Sequence, residues 1–446
     1  MAGPHLNEEM HRRATRLRGA GGAVVFRMTR GRPGCEAARE RSREISKRGT
    51  SLRQGRRLSG GEIVEVASRE EILRTLDKEG RLDGLPFMPE MFALCGQRLH
   101  VFRRAHKTCD TRAGMERSRG SRSMREAVHL EGVRCDGRAH GGCEAECLIF
   151  WKEAWLRRLP EEGRKLAKPA GRPDSGAEAL VSGGARCSEA DVLAGTERSP
   201  KDGGDGPIYV CQATEISKAT HPLRWWKLSQ YVEDYVSGNV GLDRVAKGLV
   251  HRGYENLINA GIGLGAPLRW LYDIVQKLRG GTPYPHRSGR IPIGEATPTT
   301  QLDLRAGELV RVRSYEEILA TCDRSNKNRG MRFDAEMVPY CGGTYRVLKR
   351  VTRIIDEMTG RIEILRNACI VLQGVVCRAR YSECRLFCPR AIYPYWREIW
   401  LERVAPAKDR DTGVDAEDGA AGSHEARLNT LRSPRIAGGR EHTEVP

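Results

Sequence analysis

The chain has no run of 18 consecutive apolar residues, so it offers no ordinary transmembrane helix and no membrane partner is expected. No apolar stretch follows the basic N-terminus in the manner of a signal peptide. Aromatics are scarce, 6% of 446 residues, with 7 Phe and 7 Trp. Hydrophobic residues of all kinds reach only 39%. That is too lean for one compact globule of this length and predicts unpacked segments beside smaller domains. Acidic residues number 58 against 76 basic ones, a formal charge of +18.

Cysteine and glycine are plentiful, at 14 and 50. Without a secretory signal the expected compartment is the reducing cytoplasm, where disulfides do not persist. Regularly spaced thiols in such a chain point to metal ligation. The charge is uneven, with 15 basic and 5 acidic residues in positions 1–60. A tail of that kind recruits polyanions by releasing their counterions, which makes nucleic acid or an acidic protein the candidate partner. The plainer reading of the tail is a solvated, disordered extension.

The chain contains itself twice. Residues 61–110 and 307–356 align without a gap at an offset of 246, with 20 of 50 positions identical. The likeness resumes at GVRC (132–135) against GVVC (374–377), and ends with WKEAWLRR (151–158) against WREIWLER (396–403). Two modules of domain size are therefore expected at 61–159 and 307–404. Around them the composition predicts a disordered basic tail (1–60), a flexible linker (160–206), a helical unit (207–281), a Pro-rich connector (282–306) and a disordered C-terminal tail (405–446).

Within a module, EIVEV or ELVRV alternates as a strand. Ser68-x-x-Glu71 and Ser314-x-x-Glu317 are capping boxes that start a helix. TYRVLKRVTRIID and RIEILRNACIVL, on either side of EMTG, predict a twisted hairpin. The closing WKEAWL or WREIWL is expected as a short helix laying its Trp pair on the sheet. The fold class is α+β, two related modules with curved, barrel-like antiparallel sheets joined by a helical segment.

Each module keeps four thiols in one order: Cys95, Cys135, Cys143 and Cys147, then Cys341, Cys377, Cys384 and Cys388. The last three read C-x7-C-x3-C and C-x6-C-x3-C. Four soft donors suit a closed, structural zinc site. The same pattern also fits four inert buried thiols, with an iron–sulfur cluster as a lesser alternative. His140 beside the first knuckle could substitute for one Cys, but it is expected to be a loop residue, because Arg380 or Tyr381 stands there in the second copy. Cys109, where the second copy has Ile355, lies in HKTCD, a string that could pair a nucleophile with its base, although His106 and Cys109 diverge along a strand; Cys35, Cys187, Cys211, Cys322 and Cys369 are read as ordinary thiols.

Trp225 and Trp226 are suited to stacking on bases, although aromatics at helical spacing more often pack. Arg104 and Arg350, retained in both copies, are the remaining candidate binding residues. Together with Glu90, Asp110, Glu336 and Asp356 they are also the candidates for acid–base chemistry at a module interface. The ordinary role of such residues is salt bridging.

The strings AHKTCD…GGCEAECLIFWKEAWL and LFCPRAIYPYWREIWLERV resemble uncharacterised bacterial proteins that carry two Cys-rich modules ending in W-[RK]-E-x-W-L. The resemblance covers about 61–159 and 208–404. It implies architecture and transfers no activity. A non-catalytic binding or scaffold protein with two structural zinc modules is the expectation, and an enzyme or enzyme subunit working through carboxylates and thiols is the alternative.

Overall fold

The computed structural model describes residues 57–111, 121–159, 187–200, 206–261, 263–381 and 385–404. Nearly all of the expected basic tail, and the C-terminal tail, lie outside the described residues. Among the described residues no helix is long and apolar enough to cross a membrane.

The first half opens with strand β1 (Ile63–Val66), whose alternation buries Val64 and Val66 completely. The Ser68–Glu71 capping box starts helix α1 (Arg69–Thr75), each partner satisfying a backbone N–H that the helix start leaves free. Strands β2 (Arg98–Arg104), β3 (Lys107–Cys109), β4 (Ser121–Ser123), β5 (Ala127–Arg134), β6 (Leu148–Lys152) and β7 (Leu156–Arg158) follow. Four of them join β1 in one curled antiparallel sheet in the order β6-β5-β2-β1-β7.

Three helices come next: α2 (Ser229–Val236), α3 (Leu242–Ile258) and α4 (Gly265–Leu278). The second half then runs through β8 (Leu309–Val312), the capped helix α5 (Tyr315–Ala320), β9 (Thr344–Ile355), β10 (Ile362–Leu372) and β11 (Leu401–Arg403). Its four strands form a second curled antiparallel sheet, β10-β9-β8-β11. Ile63 faces His100 in the first sheet, and Leu309 faces Arg346 in the second. A single bridge between Ile370 and Trp396 stands where the first sheet has the whole of β6.

Each sheet wraps a core of its own. Phe87 meets Trp151 and Trp155 edge-on, at centroid distances of 6.2 and 5.1 Å. Phe333 does the same to Trp396 and Trp400, at 6.2 and 5.4 Å. The indole N–H of Trp155 donates to Thr75 Oγ1, and that of Trp400 to Thr321 Oγ1, so two large buried side chains keep their polar atoms satisfied.

Two local expectations are corrected. The Trp-bearing segment is not a helix: in the first half it runs as strand β6, a 3-10 turn (Glu153–Trp155) and strand β7. The edge of β1 needs hydrogen-bond partners, and β7 supplies them. Part of the expected linker is also ordered, because Ser188 caps a turn of helix at Glu189–Ala194, and Cys187 and Val192 enter the first core.

Buried charge ties the helices to the first half. Lys107 Nζ lies 2.5 Å from Asp234 Oδ2 on α2, both side chains almost wholly buried. Asn239 exchanges two hydrogen bonds with the backbone of Arg104. On α3, Glu255 sits 2.6 Å from His286 Nε2 and 3.3 Å from His251 Nε2. Burial opposes its ionisation, but hydrogen bonds from His251 and His286 more than offset this and hold its pKa at about 2.

Two outcomes are expected. Trp400→Ala should lower the unfolding free energy by about 3–5 kcal/mol in urea titrations, and Trp226→Ala, at an exposed ring, by less than about 0.5 kcal/mol. A carboxylate whose folded pKa lies below its unfolded value stabilises above the unfolded value, and loses that contribution as pH falls through the folded one. Glu255 therefore contributes about 3 kcal/mol above pH ~4.5, and the stability gap between wild type and Glu255→Gln should close as pH falls from ~4.5 toward ~2.

Candidate metal centre

Glu90 stands in the first turn of a 3-10 helix (Pro89–Leu94). Cys135 follows the last residue of β5, and the chain then turns back through Gly137, Gly141 and Gly142, all at positive φ. A Cβ on Gly137 would fall 1.9 Å from the carbonyl oxygen of Cys143, so no other residue fits there. His140 and Gly142 donate their N–H groups to Gly137 O, at 3.1 and 3.0 Å, and Cys135 N–H donates to Cys147 O at 2.9 Å. This knuckle carries His140 over Cys135, with Nε2 3.1 Å from Sγ and 3.6 Å from Glu90 Oε1. Among the described residues, this is the one set of three or more His, Cys, Asp or Glu side chains whose ligand atoms all lie within 4.8 Å of one another. Both carboxylate oxygens of Glu90 are buried without a hydrogen-bond partner.

The three donors border an internal cavity of about 40 Å³, room for a few water-sized groups. Cys143, Cys147 and Cys211 also line it, and Ile355, Glu357 and Arg390 close it from the second half. Burial drives the Cys135 thiol far above its usual range, with the charge of Glu90 adding to the effect. Burial also lifts Cys147 to about 11 and Cys211 to about 12. For Glu90 burial opposes ionisation, but the neighbouring His140 imidazole, 3.6 Å away, outweighs it and its pKa falls.

The expected quartets are not gathered. Cys95 ends its 3-10 turn against the first core, with Arg69 and Glu189 as its nearest charges. Cys341 packs in the same way on the second core. Cys143 and Cys147 line the cavity but lie outside the convergent set. Cys384 lies outside the described residues. Glu90 and His140 take part instead, and the C-x4-H spacing from Cys135 was the signal available for the histidine.

The spacing argument also mispaired the second knuckle. Cys143 Sγ accepts the N–H of Ile355 at 3.4 Å, and Cys388 Sγ accepts the N–H of Cys109 at 3.2 Å. Cys135 N–H bonds Cys147 O, and Cys377 N–H bonds Ile392 O. Cys388 thus occupies the place of Cys143, not of Cys147, and Ile392 stands where Cys147 does. The three extra residues of the second knuckle fall between Ala379 and Phe387, whose positive φ values match those of Gly137 and Gly142. Cys109 meets Cys388, with Cys377 packed alongside. The hydrogen bond with Cys388, helped by Arg390 and Arg385, brings the Cys109 pKa down to about 6 against the opposing effect of burial.

The remaining candidates are spread through the fold. Arg104 is held by Glu153 at 2.7 Å and Glu233 at 3.1 Å, and Arg350 by Glu398 at 2.9 Å. These guanidiniums are struts between elements, Arg104 buried and Arg350 partly exposed. Glu336 accepts the N–H of Tyr381, Asp356 caps a turn through Met358 and Thr359, and Asp110 lies 3.7 Å from Arg122. Trp225 and Trp226 are exposed, at 40% and 55%, each under a guanidinium (Arg252 and Arg224). No protein-family model, curated protein or solved structure matches the chain.

Gly137→Ala should open the knuckle. The expected outcome is a loss of at least about 2 kcal/mol in unfolding free energy and faster thiol labelling of Cys135, whereas Gly96→Ala, with open space around its Cβ, should leave the labelling rate unchanged.

Proposed function

We propose that this chain is a non-catalytic binding or scaffold protein, built from a duplicated unit and stapled by zinc, that engages a polyanionic partner. The observation that carries the metal is the Glu90 carboxylate, buried with neither oxygen hydrogen-bonded, facing an imidazole nitrogen that itself touches a thiol. A buried carboxylate without donors is costly, and a cation removes the cost. A thiolate, an imidazole and a carboxylate are the donors that zinc takes. Around a tetrahedral zinc the sulfur–nitrogen and nitrogen–oxygen separations are about 3.4–3.6 Å, against 3.1 and 3.6 Å between these side chains. Glu90, Cys135 and His140 would hold the ion, and the cavity thiols offer a fourth donor. The excess of 18 positive charges, more than half of it in residues 1–60, supports a polyanionic partner such as nucleic acid or an acidic protein.

One feature favours a second reading, an enzyme working at the interface of the halves. The cavity beside the three donors is lined from both halves, and three protein ligands with an open fourth position characterise catalytic zinc.

Elemental analysis with thiol titration is the test. One zinc ion per chain is expected, lost in Cys135→Ser or His140→Ala and kept in Cys95→Ser and Cys109→Ser. A metal-free protein with fully titrating thiols would sink the zinc reading, and iron with visible absorbance would redirect it to a cluster. X-ray absorption separates the two functions: four protein donors fit a staple, three plus a water oxygen fit an enzyme.

A further inference from the structure

A cleft of about 1050 Å³ is bounded by the end of β2, by α3 and α4, and by the segment after β10. Six cations face it: Arg103, Arg244, Lys247, Arg279, Arg378 and Arg380. Its lining contains one acid, Asp243, which lies 3.6 Å from Lys247. For the other five, no carboxylate among the described residues lies within salt-bridge distance. The buried arginines Arg104 and Arg390, by contrast, each hold a carboxylate within 3.1 Å. Arg103 feels this crowding, since burial and then the neighbouring charge of Arg244 make its protonated form less favourable.

Aromatic rings stand among these cations. Phe102, Tyr254, Tyr272 and Tyr381 line the cleft, each only partly buried. A carboxylate-rich peptide would use the charges and leave the rings idle. A duplex hides its base faces in its own stack. A single strand presents both phosphates for guanidiniums and bases for rings, and the opening exceeds what one small ligand fills.

We propose that this cleft binds a single-stranded segment of nucleic acid, phosphates on the arginines and bases on the tyrosine rings. The inference rests on the reading of the chain as a polyanion-binding protein, and depends neither on the zinc nor on the N-terminal tail.

The test uses the full-length protein and a dye-labelled oligo-dT or oligo-rU of about a dozen nucleotides, within the site sizes of single-strand-binding folds. Binding is followed by fluorescence anisotropy across a salt series. Arg244→Ala combined with Arg279→Ala, both exposed on helices, should weaken binding about tenfold at physiological salt and make the slope of log K against log salt shallower by about 1.4. Tyr381→Ala should weaken it at least about fivefold, with the slope unchanged. Arg74→Ala with Arg324→Ala, exposed elsewhere, should change neither. Unchanged affinity in the double cleft variant would overturn the proposal while leaving polyanion binding intact, because another surface would then carry it. A wild-type protein that binds polyglutamate or inorganic polyphosphate as well as the oligonucleotide, with no effect of Tyr381→Ala, would assign the cleft to base-free polyanions and overturn the nucleic-acid claim. Absence of any oligonucleotide binding would overturn it outright, and zinc content would still judge the scaffold separately.

Discussion

The two halves depend on an exchange across their interface, and one guanidinium sits at its centre. Arg134 ends β5, and its two terminal nitrogens donate to Glu146 O at 2.8 Å and Ala391 O at 3.0 Å. Glu146 and Ala391 both adopt positive φ. One belongs to each half, and one planar fork satisfies both carbonyls. The same guanidinium lies 3.9 Å from the Tyr393 ring centroid. A lysine has neither the fork nor the plane to do this. On either side of this contact each knuckle places a thiol against a strand of the other half, Cys143 on Ile355 and Cys388 on Cys109. Both N–H groups are buried, and a buried N–H left unmet costs about 1–3 kcal/mol.

From this constraint follows the position of the candidate metal centre. The knuckle must reach across to the other half, so it needs the left-handed turns that Gly137, Gly141 and Gly142 allow. Those turns fold His140 back onto Cys135 and bring both beneath Glu90. Arg390 and Glu357, 3.0 Å apart, close the cavity from the far side. The chemistry of the site and the cohesion of the halves are one arrangement, and a metal at the knuckle would stiffen the element that joins them.

The charge of the chain divides in the same way. Lys107 with Asp234, Arg104 with Glu153 and Glu233, and Arg390 with Glu357 are buried pairs that fix where the helices and knuckles sit. Removing either member of such a pair leaves a charge in a poor solvent for it. A group of cations without a carboxylate partner lines the cleft along α3, α4 and the second knuckle. Net charge alone would not have separated the two populations.

Much of the local structure was legible in the residues. The alternation in EIVEV and ELVRV, the Ser–Glu capping boxes and the EMTG hairpin each rest on contacts between near neighbours, and the strands and helices stand where those contacts put them. The sequence by itself also determined which side chains are chemically able to hold a soft metal. The tertiary structure alone decided which of them meet. Cys109 and Cys388 are 279 residues apart, and Cys143 and Ile355 are 212 apart. Spacing within one half carries no information about a partner in the other. A three-residue insertion that leaves the C-x3-C text unchanged shifts the knuckle, because backbone dihedrals and cross-half hydrogen bonds set its register and cysteine intervals do not.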